Sequence, residues 1–510
     1  MLRSPEVALW LLAEKEELDR IDSMQTWERV NKAKKKALTC RWVYKLKPPT
    51  TLQPEPIFKV RLVVHGYKQQ AEIDYTSIYL FAQVATLKAF RIIMWISVFF
   101  GLTCTQLDIK TAFLYGTLDK EIYMEPPPGY EHIGPVLLKK TLYGLRQSPK
   151  IWYSTLIHEF HSLGFRETIS DSCVFYHPTK RFYILIWVDD IILCTKNEQH
   201  RTEVVTHLKS KFDLKDMGLL RHFVGLQVDY NDDDITIHQH DYAEKLCDTF
   251  DDNNSVNSTP YDPTVKFSQT QQPTTDDEKQ KMSNYPYRQI LGSLLYLLIT
   301  RPELYFIVIE LSRFVSNPAY AHWLAAIHIL RYVKLTPAVG LVLKKLQELK
   351  LTVYCDSDWA SNVDDRKSTC GYIIYLGSFP IVWRSRRQKG KPATSSCEAE
   401  YRAIHEVLNE IVWIIAFMGE LGLRVPTPVR VFCDNKSAND LAYNPVHHDR
   451  TKHIDVRYHR IREYILDGTI IVHHVPTQDN PADIFTKSVT GNIFNYLIKF
   501  IYNFPSKLSV

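Results

Sequence analysis

Two adjacent carboxylates interrupt a strongly aliphatic stretch in the first half of the chain. Asp189 and Asp190 lie between the β-rich runs FYILIW and IILCT. Such a pair is typical of a hairpin turn, because Asp favours the first turn position and tolerates left-handed backbone. The aliphatic flanks indicate a buried hairpin, and adjacent buried carboxylates repel each other unless a cation neutralises them. The pattern therefore leaves two interpretations open, a simple turn and part of a cation site.

Asp108 is a further candidate ligand for such a cation site, elsewhere in the chain. It lies in QLDIKTAFLYG, where an apolar strand meets the start of a helix. Only the fold can bring it to Asp189 and Asp190, because the residues are far apart in sequence. Two Mg²⁺ ions held between such carboxylates can activate a 3′-hydroxyl and stabilise a departing pyrophosphate.

Four further acidic residues form a second set in the C-terminal part of the chain. Two end short strands, one lies on a helix and one lies in NPADIFTK: Asp356, Asp434, Glu400 and Asp483. Each strand-end Asp alone has the simpler interpretation of a helix cap or a turn residue. Together, four carboxylates are the ligand set that two-metal phosphodiester hydrolysis needs.

The helix that begins near Glu398 separates two neighbouring glutamates by role. Ser395 and Glu398 fit the capping box S-x-x-E, so Glu398 has a structural explanation. Apolar residues then follow at helical spacing, and Gly422 provides a stop. Glu400 has no such structural role, and we therefore expect it to be the metal ligand.

Composition restricts the compartment and the partners. The net charge of +5 permits a polyanionic partner without requiring one, and 45% hydrophobic residues exclude wholesale disorder. Nine cysteines occur singly with no CxxC pair, which argues against a zinc knuckle or a disulfide framework and predicts reduced, intracellular thiols. The longest apolar stretch, residues 92–104, is too short to span a bilayer, so no membrane partner is expected.

The pattern of elements changes along the chain. Basic β-branched strands, a buried helix and a hairpin precede residue 251, and residues 251–284 are polar and predict a loop or linker. A mainly helical pattern follows. After residue 351, three strands and then alternating helices and strands favour an α/β domain with a mixed sheet.

The motifs, in their order, resemble those of one family. WVYKLK, FKVRLVVHGYKQQ, QLDIKTAFLYG, LYGLRQSPKIWY, WVDD and FVGLQV follow one another as in the reverse transcriptase of copia-type retrotransposons. The later motifs YCDSDWASNVDDRKSTCGY, TSSCEAEYRA, CDNKSA, HHDRTKHIDVRYH and NPADIFTK resemble the ribonuclease H segment of the same Pol polyprotein. The segment between them is similar to the family's connecting region.

The resemblance implies a multidomain α/β and α+β fold, in which a fingers-palm-thumb polymerase precedes a ribonuclease H-like mixed-sheet domain. The implied segments are a lead-in (1–24), the reverse transcriptase (25–250), a polar linker (251–284), a helical connection (285–350), the ribonuclease H-like domain (351–488) and a tail (489–510).

The resemblance also implies roles for individual residues of the polymerase. The implied catalytic metal ligands are Asp108, Asp189 and Asp190. Lys59 and Arg61 would contact the incoming triphosphate, since the Arg fork pairs phosphate oxygens, although a solvated cationic strand is the simpler interpretation. Phe113 would exclude a ribose 2′-hydroxyl, with a plain core aromatic as the alternative. The turn that contains Tyr143 and Gln147 would support the templating base pair.

In the ribonuclease H segment, the implied catalytic metal ligands are Asp356, Glu400, Asp434 and Asp483, and Asp358 is a less favoured substitute for Asp356. The histidines of this segment fit no zinc motif with cysteines. We expect them to contact phosphates or cap helices, with an ordinary structural role as the alternative: His447, His448, His453 and His459.

Three positions depart from the family pattern. Trp187 stands where the family has Tyr, and its indole cannot reproduce a hydroxyl near the primer end. Gln83 replaces a Pro, and Glu303 replaces an Asp in the connecting region. The first two changes favour an alternative hypothesis, a degenerate or co-opted remnant that binds nucleic acid without polymerising. A third hypothesis is a structural protein whose carboxylates only cap and turn.

The expected function is therefore RNA-directed DNA polymerase with ribonuclease H activity, using two Mg²⁺ or Mn²⁺ ions per active site. The expected partners are an RNA template, a DNA primer, the RNA–DNA hybrid and dNTPs, together with integrase and capsid proteins of the same or a related element. The expected location is intracellular, in a cytoplasmic particle and the nucleus.

Overall fold

The computed structural model describes residues 6–47, 55–76, 80, 83–251, 253–443 and 455–502. The helices within these ranges are α1 (Val7–Ser23), α2 (Leu87–Phe100), α3 (Ser148–Ser162), α4 (Glu198–Lys211), α5 (His240–Phe250), α6 (Asp276–Ser283), α7 (Tyr287–Leu297), α8 (Tyr305–Ser312), α9 (Tyr320–Leu335), α10 (Ser396–Glu420), α11 (Lys436–Tyr443), α12 (Asp455–Leu466) and α13 (Gly491–Tyr502). None of them combines the length and the apolar character that crossing a membrane requires.

The strands are short and come in both halves of the chain. They are β1 (Trp27–Arg29), β2 (Cys40–Lys47), β3 (Ile57–Val64), β4 (Thr103–Ile109), β5 (Thr117–Met124), β6 (Val136–Lys140), β7 (Arg166–Glu167), β8 (Val174–Tyr176), β9 (Phe182–Trp187), β10 (Asp190–Thr195), β11 (Leu214–Leu219), β12 (His222–Phe223), β13 (Leu226–Tyr230), β14 (Asp234–His238), β15 (Leu341–Lys344), β16 (Leu351–Ser357), β17 (Thr369–Leu376), β18 (Phe379–Arg387), β19 (Val429–Cys433) and β20 (Ile470–His474).

The chain forms two compact units. The first consists of Met1–Ala85 and Thr103–Leu219, and the second of Thr86–Leu102 and Leu220–Val510. These units differ from the segments that the resemblance implies, because residues 86–102 and 220–250 pack within the second unit. The division into a lead-in, polymerase, linker, connection, nuclease and tail stays a prediction.

The first unit is built on a six-stranded sheet with the order β11-β4-β10-β9-β8-β7. Its centre is the hairpin β9–β10, whose aliphatic side chains are buried as the sequence predicted. Two smaller sheets, β1-β6-β5 and β2-β3, complete this unit. All neighbouring strands of the six-stranded sheet are antiparallel, so sequence-distant strands end side by side.

Gly144 allows the loop that precedes α3 to lie directly against the strand β3. Its φ is +95°, and a Cβ atom at this position would lie 2.1 Å from the carbonyl oxygen of Val64. Only glycine adopts this backbone and allows this approach without strain. The Val64 N–H in turn donates a hydrogen bond of 2.8 Å to the Tyr143 carbonyl, which fixes Tyr143 beside β3.

The second unit contains a four-stranded sheet, β12-β13-β14-β15, and a five-stranded sheet, β18-β17-β16-β19-β20. In the five-stranded sheet β16, β19 and β20 are parallel while β17 and β18 are antiparallel, which confirms the predicted mixed sheet. Helix α10 packs on β16 and β17. Ser395 caps its start by accepting from the Glu398 N–H at 3.1 Å, and Gly422 lies beyond its end with φ +82°.

Helix α2 packs within the second unit although it precedes β4 in sequence. Residues 89–97 are buried, as predicted for this stretch, and the helix ends at Phe100, before Cys104 in β4. Arg91 is also buried, because its guanidinium donates to the carbonyls of Ile381 and Ile299 at 3.0 and 2.7 Å. The same group lies 3.8 Å from the ring centroid of Trp383. These contacts of Arg91 explain why α2 packs against residues that lie about 200 to 300 positions later in the sequence.

The polar stretch 251–284 is more ordered than the linker that the sequence predicted. It ends in helix α6, which begins with a capping box between Thr275 and Glu278. Tyr261 and Phe267 are buried, and the Tyr261 hydroxyl accepts from the Val489 N–H at 3.1 Å. Two aromatic residues thus anchor a segment whose average composition is that of a loop.

Candidate active sites

The first acidic site comprises Asp108, Asp189 and Asp190 and lies where β4, β9 and β10 meet. Asp190 begins β10 and pairs with Asp108 on β4 and with Trp187, the last residue of β9. Val188 and Asp189 are therefore the two residues of a tight turn. The antiparallel register places the three carboxylate-bearing residues at the same end of the sheet.

The turn is held in a costly conformation by two hydrogen bonds. Val188 has φ +57°, in the left-handed region that a β-branched residue rarely adopts. The Trp152 indole donates to the Val188 carbonyl at 2.8 Å, and the Ile109 N–H donates to the Asp189 carbonyl at 3.0 Å. Because both carbonyls are held, the backbone of Asp189 is fixed against the end of β4.

Two basic side chains share one pocket with two of these carboxylates. The pocket has a volume of about 340 Å³, and its lining includes Lys59, Arg61, Asp108, Tyr143 and Asp189. Lys59 and Arg61 are two residues apart on β3, so they lie on one face of that strand. Burial, with repulsion from Asp108 as a smaller contribution, raises the pKa of Asp189, while Arg61 and Lys59 oppose the shift. Carboxylates beside cations suit a metal-bound polyphosphate.

The aromatic residues implied by the resemblance lie beside Arg61. Its guanidinium carbon is 4.5 Å from the ring centroid of Tyr143. Phe113 meets the same ring edge to face at 5.0 Å and is half-buried. Burial raises the pKa of Tyr143 to about 12, so its hydroxyl stays protonated at neutral pH. Arg61 is thereby positioned by stacking on an uncharged ring.

Helix α1 adds a carboxylate to this pocket that the sequence analysis missed. Glu17 lines the pocket and is only 4% exposed. Burial raises its pKa, against the charges of Arg20, Arg61 and Lys59 and a hydrogen bond from the Leu62 backbone. Its Oε1 atom has no hydrogen-bond partner among the described residues. No sequence motif contains Glu17, and the pattern of helix α1 predicts an ordinary surface glutamate at this position.

Two of the residues named from the resemblance have other partners. The Asp190 carboxylate accepts from the Gln106 side chain at 2.9 Å. Gln147 is buried, donates to the Asp74 carbonyl at 3.0 Å and accepts from Gln69 at 3.0 Å. The Gln147 side chain therefore stabilises the loop before α3, and among the residues lining the 340 Å³ pocket only Tyr143 comes from that loop.

The second acidic site comprises Asp356, Glu400, Asp434 and Asp483. Asp356 lies on β16, Asp434 follows the parallel neighbour β19, and Glu400 lies in the first turns of α10. Asp483 lies in the short 3-10 helix Pro481–Phe485. Ligand atoms of Asp356, Asp434 and Asp483 lie within 4.8 Å of one another, and so do those of Glu400, Cys433 and Asp434. The fold therefore brings all four predicted carboxylates together.

Burial and mutual repulsion shape the protonation of the second acidic site. Burial and then repulsion from Asp356 raise the pKa of Asp483 to about 7, and the pKa of Glu400 rises for the same reasons. The Asp434 pKa is raised as well, again by burial first. The buried Oδ1 atom of Asp483 has no hydrogen-bond partner among the described residues. Clustered hard oxygen donors with an unsatisfied atom fit Mg²⁺ or Mn²⁺.

Three neighbours of the second acidic site were not identified from the sequence. The Lys487 ammonium lies 2.8 Å from the Asp483 carboxylate, and the Thr486 hydroxyl donates to Asp356. The Cys433 thiol contacts Glu400 at 3.6 Å. Burial disfavours the charge of Lys487, but the surrounding carboxylates outweigh it and raise its pKa. The i, i+4 spacing of Asp483 and Lys487 on NPADIFTK is the signal that could have revealed this pair.

Among the described residues, neither of the two groups of clustered ligand atoms includes Asp358 or Glu398. Asp358 accepts from the Thr369 N–H and the Ser361 hydroxyl. Glu398 accepts from the Thr394 N–H at 2.8 Å and not from the Ser395 N–H, so only the half of the predicted capping box that Ser395 supplies is formed. The predictions for His447, His448 and His453 concern residues outside the described ranges, and His459 lies in α12.

Two clusters of carboxylates, one beside a cationic strand and one at the ends of parallel strands, are arrangements that suit metal-assisted chemistry on phosphate esters. Residues 24–266 match the family described as reverse transcriptase (RNA-dependent DNA polymerase). The chain is 37% identical over 509 residues to the retrovirus-related Pol polyprotein from transposon TNT 1-94 of Nicotiana tabacum, which covers 97% of this chain and 38% of that protein.

Two further comparisons concern a yeast protein and a solved structure. A transposon Ty5-1 protein of Saccharomyces cerevisiae is 30% identical over 314 residues, with 60% of this chain and 100% of that protein covered. A foamy viral protease-reverse transcriptase in complex with double-stranded DNA is 13% identical, with a TM-score of 0.26 over 92% of this chain and 70% of that chain. The chain belongs to the retrovirus-related Pol polyproteins of copia-type retrotransposons, as its motifs indicated. It spans about 38% of the length of the tobacco relative.

Proposed function

We propose that this chain is an RNA-directed DNA polymerase with ribonuclease H activity that copies element RNA into DNA. The observation that carries the proposal is the 340 Å³ pocket in which Asp108 and Asp189 share the lining with Lys59 and Arg61. Polymerisation needs residues that bind metal ions and residues that bind the triphosphate in one place. The simpler interpretations, a hairpin turn and a solvated cationic strand, require neither. The proposed substrates are a DNA primer on an RNA or DNA template, dNTPs and the RNA–DNA hybrid.

In the proposed polymerase reaction, Asp108, Asp189 and Asp190 hold the divalent cations. Bound Mg²⁺ or Mn²⁺ would activate the primer 3′-hydroxyl and neutralise charge on the departing pyrophosphate. Lys59 and Arg61 bind the triphosphate, and the stacking of Arg61 on Tyr143 holds its fork ready for phosphate oxygens. The Asp190 carboxylate must leave or share its Gln106 hydrogen bond to serve as a ligand.

In the proposed nuclease reaction, Asp356, Glu400, Asp434 and Asp483 hold the divalent cations. Bound cations would activate water and stabilise the departing 3′-oxygen of the RNA strand. Lys487 neutralises part of the carboxylate charge when no cation is bound, since its ammonium lies 2.8 Å from Asp483. Hybrid affinity rests mostly on phosphate contacts and should fall as salt rises.

The family also suggests partners and a location for this proposal. Integrase and capsid proteins of the same or a related element would share a cytoplasmic particle with the chain, and the DNA product would reach the nucleus. The nine cysteines, all within the described ranges, form no disulfide bond, which is compatible with a reducing compartment.

Primer extension on poly(rA)/oligo(dT) with Mg²⁺ and then Mn²⁺ tests the polymerase. We expect extension by the purified chain and its loss in Asp189→Asn, while Asp440→Asn, which changes an exposed aspartate on α11, retains it. No extension by a folded chain that binds the hybrid would refute polymerase activity. Cleavage of labelled RNA in a hybrid, with Glu400→Gln as the inactive control, tests the nuclease separately.

A second candidate function is a remnant that binds nucleic acid without polymerising. Trp187 favours it, because this indole occupies the last position of β9, directly opposite Asp190. Gln83 is a weaker argument, since its side chain accepts a hydrogen bond from the Ser172 hydroxyl in this fold. Restoring the family residue with Trp187→Tyr separates the hypotheses: extension gained only in that variant would identify the remnant.

A further inference from the structure

One face of the five-stranded sheet carries a row of aromatic rings that the proposed reactions do not use. Tyr354 on β16 is the register partner of Phe432 on β19, which is the register partner of His473 on β20. The Tyr354 and Phe432 centroids are 5.0 Å apart with nearly parallel planes, and Phe432 and His473 are 5.7 Å apart. Tyr375 on β17 extends the row at 6.1 Å from Tyr354. We call these four residues the aromatic row.

An open pocket lined by three basic side chains lies over this row. Its volume is about 490 Å³, and its lining includes Tyr354, Phe432 and Tyr375 together with Lys350, Arg430 and Lys499. Among the described residues, none of the three cations forms an ion pair within 4.0 Å. The nearby acid Asp479 accepts a hydrogen bond of 2.9 Å from the Tyr496 hydroxyl at the rim. The pocket is therefore a net cationic cavity over flat ring surfaces.

Tyr375 supplies an independent sign that the pocket takes a polar ligand. This side chain is only 6% exposed, and its hydroxyl has no hydrogen-bond partner among the described residues. A buried hydroxyl without a partner is costly and calls for an explanation. Burial also raises the pKa of Tyr375, so the hydroxyl remains a donor at neutral pH. A ligand atom that accepts from this hydroxyl would remove the cost.

We propose that this pocket binds single-stranded nucleic acid. An unpaired base stacks on the Tyr354 and Phe432 rings, flanking phosphates contact Lys350, Arg430 and Lys499, and the Tyr375 hydroxyl donates to a polar atom of the nucleotide. Aromatic platforms inside a cationic groove are the usual recognition mode for single strands. A duplex does not fit this arrangement, because its bases are stacked and paired within the helix. The site uses none of the seven carboxylates of the two acidic sites, so it is testable by binding alone.

Photo-crosslinking locates the contact on the full chain. An oligo(dT) that contains 4-thiothymidine is irradiated with the protein in EDTA, and the modified peptides are identified by mass spectrometry. We expect modification of peptides that contain Tyr354 or Phe432, lost on addition of unlabelled oligo(dT) but not of a blunt duplex. Absence of these peptides, or equal competition by the duplex, would overturn the proposal. Because the readout is site-specific, oligonucleotide bound elsewhere on the chain does not confuse it.

Three variants then test the chemistry of the pocket. Lys499→Glu reverses an exposed charge on α13, and Lys245→Glu makes the same change on exposed α5, away from the pocket lining. We expect Lys499→Glu to raise the oligonucleotide concentration for half-maximal crosslinking by roughly tenfold at low salt, and Lys245→Glu to leave it unchanged. Tyr375→Phe keeps the ring and should raise that concentration by about fivefold through loss of one hydrogen bond. Equal effects of the two lysine variants, or no effect of Tyr375→Phe, would contradict the proposal.

Discussion

Removing one carboxylate from the second acidic site should stabilise the metal-free protein, and Asp483→Asn is the sharpest form of this test. The ordinary pKa of this carboxyl is 3.8, and burial with repulsion from Asp356 raises it to about 7 in the folded chain. A carboxyl whose pKa is raised by folding lowers stability progressively as pH rises from its unfolded value through its folded value. A shift of about three units corresponds to roughly 4 kcal/mol of lost stability above pH 7.

Asparagine removes this charge but also one ion pair. Lys487 lies 2.8 Å from Asp483 and is itself partly exposed, so losing the pair costs about 1 kcal/mol. The expected net gain at pH 8 in EDTA is therefore about 2–3 kcal/mol. At pH 4 the gain should vanish, because the carboxyl is then protonated in the folded chain.

Thermal and urea unfolding with and without Mg²⁺ measure both sides of this prediction. The unchanged chain should gain about 2.7 kcal/mol at a Mg²⁺ concentration one hundred times its Kd, and Asp483→Asn should gain much less. Asp440→Asn, an exposed aspartate of the same unit, serves as the matched control and should change neither value. A loss of stability for Asp483→Asn in EDTA at pH 8, or an unchanged response to Mg²⁺, would refute the reasoning.

Three further predictions concern stability. Arg301→Met should cost about 3–5 kcal/mol in urea unfolding because it leaves the buried Glu303 charge unpaired, and the double variant with Glu303→Leu should recover most of that loss. His322 is buried with its pKa lowered to about 4, so stability should fall by up to roughly 3 kcal/mol between pH 6.5 and pH 4, and His322→Gln should flatten that slope in pH-dependent urea unfolding. Gly144→Ala should lower the melting temperature through about 3 kcal/mol of clash and strain, whereas Gly129→Ala, with positive φ but open space, should cost about 1 kcal/mol. An equal loss of stability in both glycine variants would contradict the role of the close approach between Gly144 and Val64.

Local patterns in the sequence were sufficient for the elements that carry the carboxylates. The hairpin around Asp189 follows from two aliphatic runs that must be buried on a central sheet. The cap at the start of α10 follows from the motif around Ser395, whose hydrogen bonds involve residues a few positions apart, while the role of Glu400 stays a prediction. Such features depend on neighbours in sequence, so a single chain reveals them.

Features that depend on distant residues were not predictable in the same way. Gln147 belongs to a motif, yet its amide is satisfied by Asp74 and Gln69 rather than by the pocket. Glu17 enters the first pocket from a helix that shows no motif. The stretch 251–284 has the composition of a linker, but Tyr261 is buried against a backbone N–H more than 200 residues later.

The sequence alone therefore determined which candidate carboxylates the chain offers, in which order, and on which local elements, because periodicity, capping and turn preferences act over a few residues. Only the tertiary structure decided that Lys59 and Arg61 share a pocket with Asp108 and Asp189, that Cys433 and Lys487 flank the second acidic site, and that α2 packs within the second unit. It also decided that aromatic residues of four neighbouring strands form one row beneath three cations. These juxtapositions arise from strand order and long-range packing, which no short segment of the chain encodes by itself.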